Sequence, residues 1–322
     1  MLLFVGTRTT HWCLVLITMY NSWTQSTCAI LLSSFLYTLA ATQSGDRHIT
    51  RGVPPSLNAS SQSLVPFIYD LLPIGEVKPL GWMKDQLQLE ANGLAGHLFD
   101  FYRYVKSSTW LGGTYEYSQL NEAAPYWYNG LVPLAYILDD QRLKSQVNTF
   151  LSYVLEHQAD DGWLGPETTR QTRGIWARCL LLQGMMNHAI ADPQREQMIV
   201  DAMFRFAQLA NTMLKNNYTG FIEQPGDDFD PYGFGLARAH ELSTTLQWMY
   251  ETYPGRDSAI LWETMDLMWS GAKKANRDWT TFFIEGVFPT SATPKPTSNF
   301  MHGVNLAEGK AIKQFTRQSI TL

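Results

Sequence analysis

The segment from Trp110 to Glu167 combines carboxylates with large aromatic side chains in surroundings rich in Gly, Ser and Asn. Cleavage of a glycosidic bond usually needs two carboxyl groups, and indole rings stack on the apolar faces of sugars. If these indoles are exposed, as we expect for loop residues, the pattern predicts a carbohydrate site. The candidate residues are Trp110, Glu116, Glu122, Trp127, Trp163 and Glu167. Spacing alone does not identify which of the three glutamates would be catalytic.

Basic and imidazole side chains recur where later helices are expected to begin. Arg173, Trp176 and Arg178 open one predicted helix, and His240 opens another. A third begins near His302 and Asn305. Arginine can hydrogen-bond sugar hydroxyls, but Arg173 and Arg178 could equally pair with Asp161 or Glu167. Both interpretations are open at the level of the sequence.

The sequence lacks the motifs of several enzyme classes. There is no GxSxG, HExxH, P-loop or GxGxxG context, which removes support for esterases, zinc proteases and nucleotide-binding enzymes. Cys13, Cys28 and Cys179 are too few and too scattered for a disulfide framework or a thiolate cage, and Cys179 is expected in the core. The acidic loop 226–235 lacks a full calcium-loop pattern and is expected to be solvated. The sequence therefore predicts no metal site.

Pairs of helices must position these residues. Each pair couples a helix that is apolar on all sides to one with apolar residues at spacings of three and four. An inner ring wrapped by an outer ring follows, so the sequence predicts an all-α protein with an (α/α) toroid of helical hairpins. The predicted inner and outer helices are Tyr126–Leu138 with Leu143–His157, Arg173–Ile190 with Met198–Leu214, and Leu236–Tyr253 with Leu261–Ala275.

The toroid is expected to be incomplete. A first helical pair lies near Trp82, and 299–309 resembles the opening of a further pair. About four to five of six hairpins are therefore present, by the unit length seen here. An open edge would leave inner helices uncovered, so self-association is expected.

The amino-terminal region differs from the rest in composition. Residues 1–43 are signal-like and apolar, 44–65 read as a flexible lead, and 66–322 form the toroid domain. Neither apolar segment is long enough for a stable membrane span. Acceptor sequons at Asn58 and Asn217 agree with a secreted glycoprotein.

Overall charge indicates the kind of partner. The formal net charge is -5 and only 16% of residues are charged, so no basic field exists to recruit nucleic acid. A neutral partner fits better. Together with the aromatic residues, this favours an oligosaccharide or a plant cell-wall glycan.

Five motifs in order carry a family resemblance. They are LLPIGEVKPLGWMKDQLQLEANGLAGHL, WLGG followed by PYWYNGLVPLAYILDD, DGWLGP, GIWARCLLLQG and MHGVN. They resemble the β-L-arabinofuranosidase-like glycoside hydrolases of family 127 over residues 66–305. The resemblance implies a six-hairpin (α/α) barrel whose rim loops bind a furanoside or a related glycoside. It places in the cleft the helices that carry Trp127, Tyr128, Trp176, Arg178, His302 and Asn305.

The resemblance also implies a catalytic apparatus outside this chain. Characterised members hold a cysteine nucleophile on zinc with further cysteines and a glutamate, and use another glutamate as general acid/base. Those groups follow the HGVN helix, and Cys179 matches none of them. We therefore expect catalytic residues and zinc to be absent here. The expected sugar contacts are Glu116, Trp127, Tyr128, Trp163, Arg173, Trp176, Arg178, His240, His302 and Asn305.

Two alternatives to a hydrolase of the family-127 type are open. A non-catalytic sugar-binding or scaffold protein would keep the aromatic cleft. A polysaccharide lyase, or another six-hairpin hydrolase, would use Tyr, His and Arg for proton transfer without zinc.

Overall fold

A computed structural model describes residues 72–278 and 304–305. This part of the chain is helical and contains no strand, which confirms the all-α prediction. The predictions for 1–43 and 44–65, the sequon at Asn58 and the contact assigned to His302 lie outside the described residues.

The helices follow the predicted pairs. Near the start of the described part lie α1, Trp82–Asn92, α2, Leu94–Phe101, and the short α3, Arg103–Lys106; a 3-10 turn follows at Thr109–Leu111. The remaining helices are α4, Ala123–Leu138; α5, Gln141–Glu156; α6, Trp176–Ala191; α7, Glu196–Lys215; α8, Phe234–Ala237; α9, Ala239–Thr252; and α10, Ser258–Lys274.

The turn between α4 and α5 shows how the sequence sets a boundary. Asp139 adopts the left-handed conformation, with φ 56°, and ends α4. The Asp140 carboxylate then accepts hydrogen bonds from the backbone N–H groups of Arg142 at 2.9 Å and Leu143 at 3.1 Å. These are donors that the first helical turn cannot satisfy itself, so two successive aspartates stop one helix and start the next.

The six paired helices begin two or three residues from their predicted starts, and two differences have a visible cause. α6 begins at Trp176, not Arg173, because the Ile175 N–H donates across the fold to the Gly220 carbonyl at 2.8 Å. The helix predicted from Leu236 is divided into α8 and α9 at Arg238.

Burial follows the predicted alternation. α4, α6 and α9 are buried on most of their surface, whereas α5 and α7 bury one stripe each. α4 packs on α6 and α6 packs on α9, while α10 covers α9 and α7. The buried helices thus form one layer and the amphipathic helices a second, and the amino-terminal ends of the buried layer position the site described below.

α4 and α6 approach each other closely at Gly184. A Cβ atom there would lie 2.6 Å from the Tyr128 ring and 3.1 Å from the Asn129 Cα. No side chain fits in that space, so glycine sets the separation of the two helices.

A buried polar chain joins the same helices. The Tyr128 hydroxyl lies 2.8 Å from Nδ1 of His188, and Nε2 of His188 lies 2.9 Å from the Tyr136 hydroxyl. Tyr136 donates its proton to Oδ2 of Asp192 at 3.0 Å. A carboxylate can only accept, so Nε2 of His188 must donate to Tyr136 and Nδ1 must accept from Tyr128. Burial disfavours the charged ring and lowers the pKa of His188 to about 4.

None of the helices in the described ranges combines the length and the apolar character needed to cross a bilayer.

Candidate functional site

The amino-terminal ends of α4, α6 and α9 meet around one guanidinium group. Nη1 of Arg238 donates to the Tyr126 hydroxyl at 2.5 Å, and Nε donates to Oδ1 of Asn305 at 2.7 Å. Trp176 Nε1 donates to Oε2 of Glu241 at 3.0 Å. The other oxygen of Glu241 lies 3.8 Å from Nη1 of Arg238. We call these five residues the Arg238 cluster.

Aromatic rings lead from this cluster towards solvent. The Trp176 ring stacks on Phe234, with centroids 5.5 Å apart and planes at 22°, and meets the edge of Tyr126 at 6.2 Å. The Arg238 guanidinium lies 5.2 Å from the Trp176 ring centroid. Phe234 in turn contacts Tyr232, which is exposed. Ring faces and polar groups are therefore interleaved, as in sites that hold sugars.

Two buried carboxyl groups lie at the same end of the helices. Glu122, just before α4, accepts a hydrogen bond from Ser118 Oγ at 2.9 Å, and burial raises its pKa, with smaller contributions from Glu116 and Asp230. Asp230 accepts hydrogen bonds from the N–H groups of Phe234 at 3.0 Å and Gly235 at 2.7 Å, at the start of α8. Burial outweighs these hydrogen bonds and raises the pKa of Asp230. A carboxyl group with a raised pKa is suited to proton transfer near neutral pH.

Glu116 lies in the loop before α4, and its carboxylate points towards Ser108 and Thr109. Its Oε1 accepts from Ser108 Oγ at 2.7 Å, from the Thr109 N–H at 3.0 Å and from the Thr109 hydroxyl. Its Oε2 is buried without a hydrogen-bond partner among the described residues. Burial raises the pKa of Glu116. The contacts of Oε1 hold the loop in place.

The Arg178 guanidinium is fully occupied by contacts within the protein. Its Nη2 lies 2.6 and 2.5 Å from the two carboxylate oxygens of Glu167, and Nε donates to the Leu164 carbonyl at 2.8 Å. The guanidinium lies 4.9 Å from the Trp110 ring centroid and 4.3 Å from that of Trp163. The structure thus confirms the pairing of Arg178 with Glu167 that the sequence left open.

Arg173 makes the other pairing. It lies in the turn before α6, where Nη1 contacts the Asp161 carboxylate and Nε donates to the Glu167 carbonyl at 3.4 Å. Its guanidinium lies 5.1 Å from the Trp163 ring centroid. Arg173 therefore holds the 161–174 loop together, and Arg178 ties that loop to α6.

The expected exposure of the loop indoles was wrong. Trp110 is 2% exposed, Trp163 is 0% exposed and Trp127 is 7% exposed. Each ring packs against a phenylalanine of the core, with centroid distances of 6.3 Å for Trp110–Phe150, 6.0 Å for Trp163–Phe206 and 5.7 Å for Trp127–Phe150. These rings stabilise the loops from within.

The PYWYNG motif directs consecutive side chains in different directions, because neighbours on a helix are about 100° apart. Tyr126 reaches the Arg238 cluster, Trp127 stacks on Phe99, and Tyr128 is fully buried against His188. Sequence analysis selected Trp127 and Tyr128 for the cleft and missed Tyr126.

Arg238 and Glu241 were also missed in favour of their neighbour His240. His240 is 4% exposed in the first turn of α9. The available signal was an arginine three residues before a glutamate at a helix start, which is the spacing of an ion pair. Of the expected contacts, Trp176 and Asn305 do come together, joined through Arg238.

The described ranges contain no group of three or more His, Cys, Asp or Glu residues that could hold a metal ion. The Cys179 thiol is buried on α6 and donates to the Ile175 carbonyl at 3.6 Å. Asp227 of the acidic loop lies 2.9 Å from Nη2 of Arg170. These residues do not fit the zinc–thiolate set that the family resemblance implies.

The sequon at Asn217 lies on the surface. Asn217 is exposed, and its side-chain oxygen accepts a hydrogen bond from Lys274 Nζ at 3.2 Å. Its use as a glycosylation site stays a prediction.

No protein-family model matches this chain, and neither a curated protein nor a solved structure matches it. The resemblance to family 127 therefore stays a prediction that rests on the motifs.

Proposed function

We propose that this chain binds an uncharged oligosaccharide, such as a plant cell-wall glycan, at the Arg238 cluster. On this proposal it is a secreted member of the glycoside hydrolases related to β-L-arabinofuranosidases, with its helical hairpins arranged as an (α/α) toroid. The observation that supports it best is the convergence of Tyr126, Trp176, Arg238, Glu241 and Asn305 at the amino-terminal ends of the buried helices.

The chemistry of these groups suits a sugar. Tyrosine hydroxyl, carboxylate, amide and guanidinium groups can each bond a sugar hydroxyl, and hydrogen bonds that involve a charged group are the stronger ones. The Trp176 ring is buried at 6% exposure, and the partly exposed rings of Phe234 and Tyr126 that pack on it offer apolar surface beside these groups. Because the chain carries a formal net charge of -5, an uncharged ligand meets less repulsion than a polyanion.

Glu122 and Asp230 are the carboxyl groups best suited to proton transfer there, since burial raises the pKa of both. In a hydrolase one would protonate the leaving group while the other stayed ionised. A sugar-binding protein without turnover is the second candidate. Cys179 favours this second candidate, because it is buried and is not an activated thiolate.

Calorimetric titration with arabino-oligosaccharides tests binding, and release of the aryl group from an aryl β-L-arabinofuranoside tests turnover. Tyr126→Phe removes the hydroxyl that orients Arg238, so affinity should fall about tenfold, the effect of one hydrogen bond to a charged group. Tyr153→Phe, on α5, is the matched control and should bind as the wild type does.

Binding without turnover supports the sugar-binding protein, and turnover supports the hydrolase. The proposal is wrong if the wild type binds no oligosaccharide, or if Tyr126→Phe and Tyr153→Phe bind equally well.

A further inference from the structure

Four tyrosines gather beside the loop that precedes α4. The Tyr104 ring meets Tyr102 at 5.3 Å and Tyr117 at 5.9 Å, both edge to face. The Arg103 guanidinium lies 4.7 Å from the Tyr104 ring centroid and 5.4 Å from that of Tyr115. Tyr117 is 59% exposed and Tyr115 is 47% exposed. We call this surface the tyrosine shelf.

Backbone contacts hold the shelf in place without a ligand. The Tyr115 N–H donates to the Ser107 carbonyl at 3.0 Å, which fixes the loop against the end of α3. A Cβ atom at Gly113 would lie 2.0 Å from that same carbonyl oxygen, so only glycine permits this approach. Glu116 points inward to Ser108. Its neighbours Tyr115 and Tyr117 are consequently both left on the outer side of the loop.

The loop that carries the shelf leads directly to the candidate site. Burial raises the pKa of Tyr102, and the neighbouring tyrosines and Glu122 raise it further. Tyr117 is followed by Ser118, whose Oγ donates to Oε2 of Glu122 at 2.9 Å. Glu122 immediately precedes the helix that carries Tyr126.

We propose that the tyrosine shelf is a second carbohydrate subsite, which holds further units of an uncharged oligosaccharide whose one end occupies the Arg238 cluster. The inference rests on the proposed function and extends it, because it assigns the ligand a length. A single sugar would occupy the cluster alone, and only a longer chain would also cover the shelf.

The character of the shelf favours a sugar chain over other occupants. Tyrosine offers a ring face and a hydroxyl with few rotatable bonds, so it contacts a ligand at a small cost in entropy. Arg103 donates to the Tyr104 hydroxyl at 2.7 Å and lies over two rings, so its charge is directed onto the shelf. The N–H donors of Arg103 and the tyrosine hydroxyls match a chain of sugar hydroxyls, which both donate and accept hydrogen bonds.

The test is calorimetric titration with a series of arabino-oligosaccharides from two to six units. The wild type should bind the longest chains about tenfold more tightly than the shortest, the gain expected from one or two ring contacts. Tyr117→Ala should lose that gain and keep the wild-type affinity for the two-unit oligosaccharide. Trp82→Ala, which removes an equally exposed aromatic ring from α1, should behave as the wild type.

Each other outcome overturns the inference. Equal affinity for all lengths in the wild type, or an equal loss at every length in Tyr117→Ala, excludes a separate subsite while leaving the cluster as the binding site. If Tyr126→Phe changes no affinity, the proposed function fails instead. If sedimentation shows that Tyr117→Ala turns a dimer into a monomer with unchanged affinity, the shelf is a contact between copies of the chain.

Discussion

Arg178 and Glu167 form an ion pair that is withdrawn from solvent, with Nη2 of the arginine 2.6 and 2.5 Å from the two carboxylate oxygens. Asn121 Nδ2 and Trp163 Nε1 also donate to this carboxylate, at 2.7 and 3.3 Å. The pair therefore joins α6, the loop before α4 and the loop after α5. Its partners make it a structural element behind the candidate site.

Removing one member of this pair should destabilise the protein severely. Arg178→Met leaves a buried carboxylate without its counter-charge, so the free energy of unfolding should fall by about 3–5 kcal/mol. Urea denaturation followed by circular dichroism measures this loss. The double variant Arg178→Met, Glu167→Leu should lose less than Arg178→Met alone, because no buried charge remains.

Arg173→Ala is the matched control for that experiment. Its partner Asp161 is partly exposed, so the loss should stay below about 1 kcal/mol. Equal losses for Arg173→Ala and Arg178→Met would contradict the structural role assigned to the buried pair.

Two glycines on the buried helices should respond to alanine in opposite ways. Gly184→Ala places a methyl group 2.6 Å from the Tyr128 ring, and should cost about 1–3 kcal/mol. Gly130→Ala meets nothing within 4 Å in the middle of α4. It should stabilise the protein by about 0.5–1 kcal/mol, because alanine favours the helix. Thermal denaturation of both variants checks the two signs, and a loss of stability in Gly130→Ala would count against the packing described for α4.

His188 should make stability fall in acid. Its folded pKa, about 4, lies below the ordinary value of 6.5, so the unfolded chain binds the proton more readily. This contribution is fully present above about pH 6.5 and is lost as the pH falls towards 4. The loss approaches about 3 kcal/mol. Urea denaturation at pH 7 and pH 4.5 measures it.

The comparison needs two variants. His188→Gln removes the buried imidazole and should flatten the pH dependence between those values. His157→Gln, whose ring is exposed and stacked on Tyr153 at 3.9 Å, should keep the wild-type slope. An unchanged slope in His188→Gln would show that other groups cause the acid sensitivity.

Cys179 should be inert in the folded protein. It is 1% exposed, and burial raises the pKa of its thiol, so little thiolate forms at neutral pH. In a Cys13→Ser, Cys28→Ser background, mass spectrometry should find no iodoacetamide adduct until urea unfolds the chain. Rapid alkylation under native conditions would reopen a nucleophilic role for this cysteine.

The helices were predictable because their signals are local. Asp139 and Asp140 mark the end of α4 and the start of α5 through contacts with residues only a few positions away. The apolar and amphipathic patterns then distinguish the buried helices from those that cover them. Both kinds of information lie within one or two helical turns of the sequence.

The candidate site depended on contacts between distant residues. Trp163 resembles an exposed loop indole until Arg178, from the next helix, covers its ring. Likewise, Tyr126 and Trp127 are equivalent in sequence, and their roles differ only through the rotation of α4. That rotation is set by the close contact of Tyr128 with Gly184, which no local pattern in α4 reveals.

Three consecutive side chains of α4 face three different neighbours, and this arrangement limits which insertions and deletions in α4 the protein can tolerate. Tyr126, Trp127 and Tyr128 face the Arg238 cluster, Phe99 and His188 in turn. Inserting or deleting one residue at the start of α4 would rotate these side chains by about 100° against the rest of the helix and exchange their environments. Homologous chains should therefore vary in the length of the loop before Ala123 while keeping the register from Tyr126 onward without a gap.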